Sequence, residues 1–191
     1  MPVNPSLHTI QDLQTLLEQG KRCELVAGQL IELPPHSRHH ALIGSVIAAA
    51  VYIHTKARSL GEVSGSDGLF RLGVNPDTQG ETVRIPDVSF VSANRHQQPS
   101  AKGIFEGAPD LVVKVIAPEE HYTFVRASLR DYFAHGTLRI WVIDPESRIV
   151  EVFTGLDSMT TLSADSILEG GEVLPGFSLS LTDLFAPLEM Q

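Results

Sequence analysis

The chain has 191 residues, 42% of them hydrophobic and 19% charged, which is ordinary for a globular protein with a sizeable core and points to one domain over residues 1–191. Fourteen basic against twenty-three acidic residues leave a formal charge of −9, which weighs against broad electrostatic capture of nucleic acid but leaves room for a local basic cleft. One cysteine, Cys23, excludes an intramolecular disulfide and a multi-cysteine zinc site and fits a reducing cytoplasm. The N-terminus lacks the basic-then-apolar order of a signal peptide. The longest apolar stretch, residues 41–53, is about 13 residues, against the roughly 20 that span a bilayer, so no membrane association is expected.

In chain order, Thr9 reads as an N-cap, Leu13, Leu16 and Leu17 as a helical stripe, and Gly20 as its stop. Residues 23–26 and 29–33 read as two short strands turning through Ala27-Gly28, and Pro34-Pro35 ends the second. A long helix is expected from Ser37 to about Arg58, with Leu42, Val46, Ala49 and Ile53 at helical spacing. Arg38, His39 and His40 sit at its start, the end where a helix dipole disfavours cations. They are either solvated surface or a functional cluster. Strand pieces follow between Gly61 and Leu72, then a turn-rich stretch to Glu81 and a strand through residues 83–91. Pro86 removes a ladder donor, so it marks an edge, a bulge or a break. Residues 94–107 are polar and read as a loop.

The segment 109–118 is bracketed by prolines and apolar on both alternating sets, Val112 and Ile116 on one face, Leu111, Val113 and Val115 on the other. A strand apolar on both faces is covered on both faces, so it belongs inside a sheet. Lys114 breaks the run, and a lysine there either snorkels to solvent or finds a carboxylate. A helix over residues 122–135 and a strand over 138–144 complete a strand–helix–strand unit with a parallel pair. Hairpin strands, a Gly170-Gly171 turn and a short tail near residues 181–185 follow. The expected class is α/β (α+β), a mixed sheet with a long helix packed on it and β-hairpin additions.

A Glu on an early strand (Glu24), an Asp after a proline (Asp87), a charge in mid-strand (Lys114) and then a helix resemble the PD-(D/E)xK nuclease order. The match extends to Cys23-Glu24-Leu25-Val26-Ala27-Gly28, Ser37-Arg38-His39-His40, Arg84-Ile85-Pro86-Asp87-Val88, the 109–118 strand, Leu129-Arg130-Asp131-Tyr132-Phe133 and Trp141-Val142-Ile143-Asp144-Pro145. Together these resemble the Uma family, usually labelled restriction endonucleases, over roughly residues 10–185. The resemblance implies a restriction-endonuclease-like fold, phosphodiester hydrolysis on DNA, a Mg²⁺ or Mn²⁺ cofactor and a tendency to form homodimers. Residue by residue it implies Glu24 as the early acid, Asp87 as the metal-binding carboxylate and His40, beside Arg38, on the substrate side, with Lys114 near the attacking water in an active enzyme.

Two positions depart from the family. Lys114 stands where the family has Glu, and Ser128 where it carries a lysine. At ~4 Å and an effective dielectric of ~20 a pair of unit charges is worth ~4 kcal/mol, so a divalent ion would meet about twice that as repulsion from Lys114. The expectation is therefore a degenerate site in which Lys114 takes the cation position and pairs with Asp87, Glu24 or both. The alternative is a non-catalytic dimeric module that binds nucleic acid or protein. Bland roles also stand: Asp87 as a turn cap, Glu24 as a solvated edge residue and Cys23 as a small buried hydrophobe. Glu119, Glu120 and His121, after the central strand, are candidates for replacement ligands supplied by a flexible loop. His39, His40 and His135 are not spaced as His-x-x-x-His on one helix.

Overall fold

The computed structural model describes residues 7–95, 103–118, 120–163 and 165–189. Helix α1 (Ile10–Glu18) starts on a capping box in which the Thr9 hydroxyl accepts from the Asp12 N–H and the Asp12 carboxylate accepts from the Thr9 N–H. Strands β1 (Cys23–Val26) and β2 (Gln29–Glu32) form a hairpin through Ala27 and Gly28, both at positive φ (50° and 81°), as a two-residue turn of the primed kind requires. Helix α2 (Arg38–Arg58) is capped by the Ser37 hydroxyl, which accepts from the His40 N–H.

Strands β3 (Gly61–Ser64), β4 (Leu69–Val74), β5 (Glu81–Arg84), β6 (Val88–Ser92), β7 (Ile104–Glu106) and β8 (Leu111–Val115) precede helix α3 (Tyr122–Ala134). Then come β9 (Arg139–Asp144), β10 (Ile149–Gly155), β11 (Ser158–Ser163), β12 (Ile167–Glu169), β13 (Ser178–Ser180) and the short helix α4 (Leu181–Phe185). The strands divide into a five-stranded sheet, β2-β1-β5-β4-β7, a six-stranded sheet, β11-β10-β9-β8-β6-β3, and the β12-β13 pair. The expected mixed sheet with the long helix packed on it is the six-stranded one, which carries both parallel and antiparallel pairs, and a second larger sheet and a ribbon accompany it. Pro86 explains the division: the ladder stops at Arg84, and the chain resumes at Val88 in the other sheet. Part of the 94–107 stretch read as loop is strand β7, parallel to β4, while residues 96–102 of it lie outside the described residues.

Strand β8 is internal, antiparallel to β6 and parallel to β9. Leu111, Val113 and Val115 pack with Ile43, Ile47 and Val51 of α2. Val112 faces the other way, into a cluster with Val125, Leu129 and Tyr132 of α3. Both faces of the strand are therefore covered, and the β8-α3-β9 unit sets the direction of everything after the central strand. Phe70 and Leu72 of β4 join the α3 cluster, which locks the smaller sheet against the larger. Leu129 is fully buried where the sheets and α3 meet. Leu129→Ala should cost about 2–5 kcal/mol of unfolding free energy in a urea titration.

Candidate nuclease-type site

Asp87 sits where the two larger sheets part. Its N–H donates to the Val113 carbonyl at 3.1 Å, and its Oδ2 accepts from the Val115 N–H at 2.7 Å. The β6–β8 register pairs Val88 with Val113, so one step on Asp87 lies across from Lys114. Backbone bonds on both sides of Lys114 thus fix the aspartate in place of a further ladder rung. This explains an Asp after a Pro: the carboxylate satisfies an N–H that the interrupted strand leaves unpaired.

The other carboxylate oxygen, Oδ1, faces two imidazoles. His40 Nε2 lies 3.1 Å away and His36 Nε2 3.6 Å away. The two rings stack at a centroid distance of 3.7 Å with 17° between their planes. Burial alone would raise the Asp87 pKa, but the adjacent His36 and His40 imidazoles and the nearby Lys114 charge hold it well below the ordinary carboxylate value. Asp87 is an ionised, buried group held by polar partners.

Lys114 does not snorkel away. Its side chain is 19% exposed, and its Nζ pairs with Glu120 Oε1 at 2.8 Å. Burial works against its charge, yet the fields of Asp87, Glu120 and Glu24 outweigh it and raise the pKa. The direct partner is thus Glu120 rather than Asp87 or Glu24, which act on Lys114 through space. Glu120 lies just before α3, and its second oxygen reaches the Ala117 N–H at 3.5 Å. The sequence offers Glu120 as a replacement ligand from a loop; in the structure its carboxylate pairs with Lys114 instead. Neighbouring Glu119 lies outside the described residues.

Glu24 is buried and fully engaged. Its Oε2 accepts from Arg84 Nη1 at 2.6 Å and its Oε1 from the Ile85 N–H at 2.8 Å. Adjacent strands bring the pair together, since Leu25 and Val83 are opposite each other in β1 and β5. Arg84 also donates from Nε to Asp131 Oδ2 on α3 at 3.0 Å. Burial would lower the Arg84 pKa, but Glu24 and Asp131 raise it above the usual arginine value. Arg84 and Asp131 were visible in sequence only as members of matched motifs. Ser128 is buried, and its hydroxyl donates to the Val125 carbonyl at 2.8 Å. Arg38 is exposed in the first turn of α2, while His40 is buried against Asp87.

Glu24, Arg84, Lys114, Glu120 and Ser128 line one cleft of about 580 Å³. Much of the remaining wall is apolar, from Val26, Ile31, Leu33, Val112 and Phe124. Each cation in the wall has an acidic partner: Arg84 has Glu24 and Asp131, and Lys114 has Glu120.

The residues do not fit a magnesium ion. Mg²⁺ requires near-octahedral oxygen ligands, usually with one or two carboxylates. Here Glu24 is spent on Arg84, Asp87 Oδ2 on a backbone N–H, and an ammonium occupies the neighbouring strand position.

The six-stranded mixed sheet carries a proline-linked aspartate just before β6, with Lys114 opposite it on β8. The family model Uma2, described as "Putative restriction endonuclease", matches residues 10–182, and the chain belongs to that family. A solved structure described as a putative nuclease belonging to DUF820 from Anabaena variabilis ATCC 29413 superposes with a TM-score of 0.74 at 22% identity. The match covers 86% of this chain and 89% of that one and shows a common fold. No curated protein matches the chain.

The buried triad gives a direct test. Arg84→Met strands the Glu24 carboxylate, a side chain 8% exposed, without its cation, and should cost about 3–5 kcal/mol in urea unfolding. Asp131 is 32% exposed, so Asp131→Asn should cost well under half as much.

Proposed function

We propose that this member of the family keeps the nuclease fold but does not hydrolyse phosphodiesters by the two-carboxylate Mg²⁺ or Mn²⁺ route. The observation that carries this reading is Lys114, across from Asp87 and paired with Glu120. A divalent ion at the two-carboxylate position, between Asp87 and residue 114, would have to displace or repel that ammonium. Glu24, Asp87 and Lys114 then serve as structural heirs of catalytic positions. Glu24 anchors Arg84, Asp87 ties the ends of two strands, and Lys114 supplies the positive charge.

The second reading, a non-catalytic module with a protein or nucleic-acid partner, follows from the same cleft. Its walls are largely apolar and its cations already have acidic partners, which suits a protein segment better than a phosphate backbone. DNA as partner, a homodimeric state and a place in the cytoplasm belong to the reading drawn from the family resemblance.

Nicking of supercoiled plasmid in Mg²⁺ or Mn²⁺ tests the first claim. Wild type should cleave no faster than Asp87→Ala. Metal-dependent nicking that disappears in Asp87→Ala would show a working nuclease centre and overturn the reading.

A further inference from the structure

His36, His40 and Asp87 converge on a single point at the N-terminal end of α2. Their three ligand atoms lie within 4.8 Å of one another. We propose that they bind a borderline first-row transition-metal ion of the zinc class, at a site separate from the Lys114 position.

The donor set selects the metal. Two imidazoles and one carboxylate suit Zn²⁺, Co²⁺ or Ni²⁺, whereas Mg²⁺ prefers oxygen alone. Distances agree with this choice. Bonds of about 2.0–2.1 Å in a tetrahedral shell place ligand atoms about 3.3–3.4 Å apart. The observed separations from Asp87 Oδ1 are 3.1 Å to His40 Nε2 and 3.6 Å to His36 Nε2. Small adjustments therefore bring both nitrogens to bonding positions relative to the oxygen.

The support around the ligands is already built. Asp87 Oδ2 accepts from the Val115 N–H, which leaves Oδ1 turned toward the imidazoles. Such a second hydrogen bond orients a metal-binding carboxylate. His40 is fixed on α2 and buried. His36 Nε2 is itself buried and stands 3.6 Å from Asp87 Oδ1, longer than an ordinary hydrogen bond. A buried nitrogen held at that distance from an ionised carboxylate leaves room for an ion bound to both.

Metal entry has one structural cost. An ion shared by stacked rings would lie far out of both ring planes, so the rings must splay. His36 is the one to turn, because it lies between β2 and the start of α2 and is 27% exposed. A cavity of about 10 Å³, lined by His36, His40, Asp87, Lys114 and Glu120, adjoins the three ligands. That volume is close to what one water needs, so a water can complete the shell. The Lys114 ammonium beside it is neutralised by Glu120. The site is thus a three-ligand site with an open position, unlike the closed shells of structural zinc.

The sequence carries the signal as His36-x-x-x-His40. Ser37 caps the helix, so His36 stands just outside it and reaches the same side as His40 by stacking rather than by helical repeat.

The test uses the untagged full chain and isothermal titration with Zn²⁺, with excess Mg²⁺ present, together with visible absorption on loading with Co²⁺. One ion per chain should bind, and Co²⁺ should show the strong ligand-field bands of low coordination. His36→Ala, chosen because it is partly exposed, should weaken binding at least about tenfold while its thermal melt shows a folded protein. Asp87→Asn should weaken it similarly, and His39→Ala should leave it unchanged. Absence of Zn²⁺ binding to wild type, or binding that folded His36→Ala retains in full, would overturn the proposal. Either failure leaves the proposed loss of the two-carboxylate route untouched, since plasmid nicking is scored with Mg²⁺ and Mn²⁺ alone.

Discussion

An ammonium held between covered faces of a sheet must be balanced by carboxylates, and the surroundings of Lys114 are arranged around that requirement. The strand that carries it is buried by α2 on one face and α3 on the other. Its neighbour across the ladder is Asp87, and its direct partner is Glu120 from the approach to α3. Leaving Lys114 unpaired would cost several kcal/mol, so these acids are tied to it as firmly as the apolar residues are tied to the core. A charge change at one position thereby alters what the whole site can hold.

The same principle runs through the rest of the cleft. Arg84 is buried between Glu24 of the smaller sheet and Asp131 of α3, and so links three elements with one guanidinium. In a working metal centre carboxylates are left with oxygens facing the ion. Here Glu24 and Glu120 are closed by protein cations, and Asp87 keeps one oxygen, facing imidazoles. The cleft wall that results is apolar with internally matched charges, while nitrogen donors gather on the far side of Asp87.

Much of the frame could be read from residues. The apolar alternation of 109–118 announced a strand covered on both faces, the Ser37 cap and following stripe announced α2, and Pro86 announced a break. Splitting of the strands into two sheets was not legible, because strand pairing is a long-range property that local alternation does not encode. Strand β7 was hidden by its polar surroundings and by a length of three residues. At the site, Asp87 and Lys114 could be singled out because each breaks a local rule, a charge inside an apolar strand or an acid after a strand-breaking proline. Glu120 and Arg84 break no such rule; their importance arises only from what the fold brings next to them. His36 was legible in principle, four residues before His40, but its place outside the helix obscures the relation.

Exclusion of magnesium by Lys114 is tested most directly by titration calorimetry with Mg²⁺ on wild type and on the double variant Lys114→Glu with Ser128→Lys. Wild type should bind no Mg²⁺, and the double variant should gain a site that Asp87→Asn removes. Wild-type protein that binds Mg²⁺ with micromolar affinity through Asp87 would contradict this.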